Sequence, residues 1–98
     1  DKVWVKIHRQ ANRVLVAVCD ADLLGKEIKC GRSKIDISDR FYRGFQASVE
    51  EALELIEGAD SANLMGRRIV EAAIMRGLVH REAVVELDSI PHVLIVKV

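Results

Sequence analysis

Threonine is absent from the chain, proline occurs once, and the side-chain amides number four: Gln10, Asn12, Gln46 and Asn63. A single proline leaves no proline-rich linker or low-complexity tract. Few amides among many charges is a composition favoured at high temperature. No apolar run approaches the roughly 20 residues that a membrane helix needs, and the opening Asp1-Lys2-Val3-Trp4 carries no signal-peptide pattern. Charge of one sign is missing as well: 15 Lys+Arg cancel 15 Asp+Glu, so no bulk field recruits DNA or an anionic membrane, and neither is expected as a partner. Cys19 and Cys30 are the two cysteines, and they match neither a metal spacing nor Cys-x-x-Cys. The expectation is a cytoplasmic chain with reduced thiols, a Cys19–Cys30 bridge being the alternative. His8, His80 and His92 are too scattered for a metal site. There is no P-loop, no Gly-x-Gly-x-x-Gly and no His-Glu-x-x-His. No catalytic residue, metal or cofactor is therefore expected.

Half of the 98 residues are hydrophobic, among them 13 Val and 9 Ile, which is enough for one packed core and places residues 1–98 in a single domain. Val3 to Ile7 reads as a strand, Gln10-Ala11-Asn12 as a turn, and Val14 to Cys19 as a second strand, apolar on both faces. Asp20 to Gly25 reads as one helical turn with Asp20 as its N-cap and Gly25 as its stop. Glu27–Cys30 is a brief extended piece, and Ser33–Ser38 alternates as a strand with one wet face. Ser48-Val49-Glu50-Glu51 is a capping box, opening a helix that Gly58 ends. A second helix is expected from Asp60 or Ser61 to Arg76, with Gly77 after it and Gly66 in its middle; the costly Gly66 implies a close contact. Val84–Leu87 and His92–Val98 complete the chain as strands around a turn at Asp88–Pro91, whose Ile90–Pro91 bond is open to either isomer. The fold class is α+β, a mostly antiparallel or mixed sheet of four to five strands. Two consecutive helices pack on one of its faces, in the order β-β-(short α)-β-α-α-β-β. The other face is either covered by the segment after Asp20 or buried in a homodimer.

Charge is balanced overall but not along the chain. Residues 1–43 hold ten basic and six acidic side chains, and residues 44–98 hold five and nine. The basic excess gathers at Lys26, Lys29, Arg32, Lys34, Arg40 and Arg43; the acids sit on the first helix as Glu50, Glu51, Glu54 and Glu57. Those acids are either a solvated face or a docking surface for a basic partner. Arg40-Phe41-Tyr42-Arg43-Gly44-Phe45 holds three of the four aromatics. Rings stack unpaired bases while cations hold phosphates, which is the chemistry of single-stranded RNA recognition. One disposition exposes Arg40, Tyr42 and Arg43 beside Lys26, Lys29 or Arg32 as one basic patch. The other sinks Phe41 and Phe45 into the core and leaves Tyr42 outside. Asn63, read in the first turn of the second helix with Arg67 and Arg68 one turn on, can either hold an anion or cap a loop. A Cys19–His92 nucleophile pair is the enzyme alternative to a buried, inert Cys19.

The whole chain resembles a family of small uncharacterised archaeal proteins, the domain of unknown function numbered 424. The likeness is carried by Cys19-Asp20 with Leu23-Leu24-Gly25-Lys26, Phe41-Tyr42 with Gly44, Ala62-Asn63-Leu64 with Gly66, and Pro91-His92. The sequence departs from the family pattern at Arg43, in place of a second glycine, and at Val93-Leu94, in place of Ala-Gln. The resemblance implies an archaeal cytoplasmic protein, brings no established activity, and points to translation or RNA by association alone. The expected function is a non-enzymatic binding module with RNA or a ribonucleoprotein as partner. Arg40, Tyr42, Arg43, Lys26, Lys29, Asn63, Arg67, His92 and Asp20 are its candidate binding residues. The alternatives are a protein–protein scaffold using the acidic helix, or an enzyme with a site around His92, Asp20 and Asn63.

Overall fold

Two strands rich in valine and isoleucine start the fold. In the computed structural model, which describes residues 2–98, β1 (Lys2–Gln10) and β2 (Arg13–Asp20) form an antiparallel hairpin. Its turn is made by Ala11 and Asn12, Ala11 taking a positive φ of 55°. The register sets Val5 opposite Val18 and Ile7 opposite Val16 on one face. Trp4–Cys19, Lys6–Ala17 and His8–Leu15 fall on the other. β2 is buried on both faces, as its unbroken apolar run requires.

After β2 the chain makes a single 3-10 turn at Ala21–Leu23 and the small hairpin of β3 (Glu27–Cys30) and β4 (Ser33–Asp36). α1 (Asp39–Tyr42) follows, started by Ser38, whose Oγ accepts from the Phe41 amide. β5 (Phe45–Ser48), α2 (Val49–Gly58), β6 (Ser61–Met65), α3 (Arg67–Met75), β7 (Val85–Leu87) and β8 (Ile90–Val96) complete the order. Six strands form one mixed sheet, β5-β1-β2-β6-β8-β7, and β3-β4 stand apart as a second, two-stranded sheet. β6 pairs parallel to β2 and antiparallel to β8. The chain is α+β, with a six-stranded mixed sheet in place of four or five strands.

The two longer helices do lie on one face. Val49, Leu53 and Ile56 of α2 and Ile69, Val70 and Ala73 of α3 pack over Val3, Val5, Val16, Val18, Leu64 and Val93. They are not consecutive, because Ser61–Met65 is a central strand and not the first turn of a helix. Gly66, with φ at +119°, stands at the N-cap of α3 rather than inside it. The expected close contact at Gly66 is present all the same: a Cβ there would lie 2.5 Å from Cγ of Asp20. The capping box of α2 forms as read, with Ser48 and Glu51 each bonding the other's backbone amide.

The second face is covered in part. Leu23, Ile28, Ile37 and Tyr42 descend from the 3-10 turn, the small hairpin and α1 onto Ala17, Cys19 and Met65. Beyond that cover, Leu94 and Val96 of β8 and Val85 of β7 remain exposed. Both cysteines are free, Cys19 buried and Cys30 exposed, and no peptide bond among the described residues is cis. No helix is long and apolar enough to cross a membrane.

Candidate functional site

The parallel pairing of β2 with β6 sets Ala17 beside Asn63 and Cys19 beside Met65, and the β6–β8 register then sets Met65 opposite His92. Asn63 and His92 thus share the second face of the sheet, under α1. Tyr42 hangs from α1 and is 4 % exposed. Its hydroxyl donates to Oδ1 of Asn63 at 2.5 Å, and Nε2 of His92 donates to the same oxygen at 3.3 Å. Two donors on one carbonyl oxygen fix the amide's orientation and place the His92 ring proton on Nε2. Nδ2 of Asn63 is left for solvent, since no buried polar side-chain atom lacks a partner among the described residues.

The chemistry on offer at neutral pH is uncharged. Burial lowers the pKa of His92 below the usual imidazole value. Burial, with a lesser contribution from Cys19, raises that of Tyr42 above the usual phenol value. The Cys19 thiol is pushed up to about 12, by burial first and by Asp20 and Asp22 after it. A thiol held protonated is no nucleophile. Met65 also stands between Cys19 and His92, two strand spacings or about 10 Å apart. The nucleophile pair is therefore not formed. No group of three potential metal ligands occurs among the described residues.

Asp20 lies at the end of β2, 7 % exposed. It stands at the N-cap position of the turn that follows, as expected, but makes no side-chain capping bond there. Its side chain instead accepts the α3 amides of Arg68 at 2.8 Å and Ile69 at 3.0 Å. The anion site read at the start of the second helix is thereby filled by the protein's own carboxylate, and Asn63 is no part of that helix. Burial raises the Asp20 pKa while these two amides oppose the rise. Gly66 brings α3 against Asp20, and its amide donates to the Pro91 carbonyl at 2.8 Å.

The cationic candidates do not form one patch. Tyr42 is buried rather than exposed, whereas Phe45, expected inside, is 44 % exposed. A phenol needs a polar partner to be buried, and Asn63 on β6 supplies it. Arg40 is exposed, its carbonyl accepting from Lys6 Nζ at 2.7 Å. Arg43 lies over the Trp4 ring on β1, 5.5 Å from its centroid, and pairs with Asp39 at 3.2 Å. Lys29, by contrast, is tied through its amide to Asp88 beside β7. β1 and β7 are four strand spacings apart, roughly 19 Å. Lys26 is exposed between the 3-10 turn and β3, and Arg67 faces Glu86 and the Ser89 carbonyl.

His8 is the residue that the sequence reading left out. Its ring stacks on Phe41 with centroids 4.8 Å apart at 23°, and its Nε2 donates to the Phe41 carbonyl at 2.8 Å. These two rings, with Arg13, Leu15 and Ser61, line a hollow of about 570 Å3 on the open part of the second face. Strand alternation carried the signal, since His8 shares a face with Trp4 and Lys6.

Asp20, Tyr42, Asn63, Gly66, Pro91 and His92, scattered over seventy residues of sequence, form two adjoining contact networks on and beside one end of β6. They are among the residues by which the sequence resembles its family. The family model described as "Protein of unknown function (DUF424)" matches residues 8–98. The chain belongs to this family. Its fold is similar to the crystal structure of an uncharacterized conserved protein from Methanopyrus kandleri, with a TM-score of 0.84 and 28% sequence identity. The match covers 97% of this chain and 90% of that one. No curated protein matches the chain.

Proposed function

We propose that this family member is a non-enzymatic binding module that holds single-stranded RNA, free or within a ribonucleoprotein, on the open part of its second sheet face. The observation that carries the reading is the His8–Phe41 stack lining the hollow beside Arg13. A half-buried ring pair is a platform on which an unpaired base can stack. Arg13 lines the hollow and Arg40, next to Phe41 in sequence, is exposed, both placed for the phosphates. The aromatic role moves from Tyr42 to Phe41, beside exposed Arg40, while Arg43 is held over Trp4 and by Asp39. Neutral Tyr42, Asn63 and His92 offer hydrogen bonds to a bound base.

Fluorescence anisotropy with a short uridine-rich RNA tests this. Phe41→Ala should weaken binding about tenfold, the usual scale for one base–ring stack. Arg13→Ala should reduce the slope of log affinity against log salt by about 0.7, one phosphate on a single strand. An affinity that both variants leave unchanged, or no binding by the wild type, refutes the assignment.

A second reading rests on Val85, Leu94 and Val96, which are 55 %, 60 % and 69 % exposed on the same face. Exposed neighbouring apolar side chains are the usual material of a two-fold interface. Sedimentation at micromolar concentration should then show a dimer that Leu94→Lys converts to monomer.

A further inference from the structure

The opposite face of the sheet carries a separate feature at its edge. β5 is the terminal strand of the six-stranded sheet, and a hollow of about 570 Å3 runs between it and α2, lined by Phe45, Gln46, Ala47, Glu51, Glu54 and Leu55. We propose that this groove binds an extended basic peptide segment of a partner protein, added to the sheet as a further strand beside β5.

Three observations carry the assignment. The edge is open, though short at four residues. The strand reads Phe-Gln-Ala-Ser, with no lysine, proline or inward-pointing charge. The Ser48 amide is turned away from β1, because it donates to Oε1 of Glu51 at 2.8 Å. Strand alternation then turns the amide and carbonyl of Gln46 outward as well. Those two groups are what an added strand needs.

The groove also has an apolar seat. Phe45 stands on the helix-bearing face but is 44 % exposed, while its neighbour on that face, Ala47, is 3 % exposed and short. Phe45 and Leu55 therefore wall a depression that one aliphatic side chain of a peptide can fill.

Charge selects the partner. Glu51 and Glu54 line the groove, whereas Glu50 and Glu57 are taken by Arg76. Glu51 keeps one carboxylate oxygen free of the capping box. The Glu51 carboxyl is held below the usual range, first by its bonds with Ser48 and least by Lys2. RNA is disfavoured there, since two carboxylates repel phosphate. Lysine or arginine alternating with aliphatic residues fits the edge, the seat and the charge together.

The assignment is independent of the RNA reading, which uses the other face. Its test is titration of a labelled peptide alternating lysine with valine, followed by anisotropy and by amide NMR. Binding in the micromolar range, with slower exchange of the Gln46 amide, supports the added strand. Glu54→Lys should weaken that binding about tenfold. Gln46→Pro should abolish it while leaving the fold intact by circular dichroism, because proline is tolerated at an edge position whose N–H faces solvent. No binding of the lysine peptide, equal binding of its glutamate counterpart, or indifference to both substitutions overturns the proposal. Concentration-dependent self-association that Phe45→Ser removes would give the groove to a second copy and overturn it too.

Discussion

A methyl group at position 66 has no room. It would lie 2.5 Å from Cγ and 2.6 Å from Oδ2 of Asp20, on a backbone at φ +119° that L residues rarely adopt. Asp20 cannot yield without losing its bonds to the Arg68 and Ile69 amides. Gly66→Ala should therefore destabilise the protein by about 2 kcal/mol or more, the sum of backbone strain and a damaged cap. Gly58→Ala is its control: nothing lies within 4 Å of the added atom, and replacing glycine in a helix should be neutral or stabilising by up to about 1 kcal/mol. Urea melts of both variants read the difference directly. His92 gives a second prediction at this scale. Its folded pKa lies below the usual imidazole value through burial, so between that lowered value and about 6.5 the unfolded chain binds more protons than the folded one. Stability then rises with pH through this window and is lost on acidification through it. His92→Gln should flatten that part of the stability profile, and an unchanged slope in the variant would show that burial does not hold the imidazole neutral.

Short elements are legible in the sequence where local pattern decides them, and not where a distant partner does. The β1–β2 hairpin is legible because apolar residues flank a polar turn, and the α2 start is legible because Ser48 and Glu51 have the capping-box spacing. Ser61–Met65 satisfies both periods: Ala62 and Leu64 alternate, while Ala62, Met65 and Ile69 fall on one helical face. Five residues do not separate the two. The choice is made by β2 on one side and β8 on the other, which bury the segment as a central strand. That single misassignment spread through the candidate site. With Asn63 on a central strand and not on a helix, the buried Tyr42 hydroxyl has its partner. Asp20 shows the same limit: its carboxylate leaves the turn beside it and bonds the first amides of a helix that starts some fifty residues further on. The nine candidates nonetheless include Asp20, Tyr42, Asn63 and His92, all of which gather at one end of β6. Phe45–Ser48 and Asp39–Tyr42, four residues each, are too short to show a period at all.

On the scale of the molecule, the sheet separates two apolar clusters of unequal build. The helix side is sealed by α2 and α3 across the six-stranded sheet. The other side is covered in part by one continuous segment, residues 21–43, that holds only two turns and a hairpin, whose β4 is exposed throughout. Few buried contacts and exposed backbone bonds mark a unit that opens below the free energy of global unfolding. Cys19 lies beneath this cover with a pKa of about 12, so it should resist alkylation in the closed state. Exposed Cys30 should not. Iodoacetamide at mild alkaline pH should therefore label Cys30 quickly and Cys19 slowly. The Cys19 rate should rise only weakly with urea, as expected for an opening that exposes little surface. Tyr42→Phe, which removes the hydroxyl bonded to Asn63, should speed Cys19 labelling several-fold, a loss of about 1 kcal/mol from the cover alone. It should move the global urea midpoint little, because the helix-side cluster is untouched. If Cys19 reacts only with the steep urea dependence of global unfolding, the two clusters are one cooperative unit, and the cover over the candidate site does not open on its own.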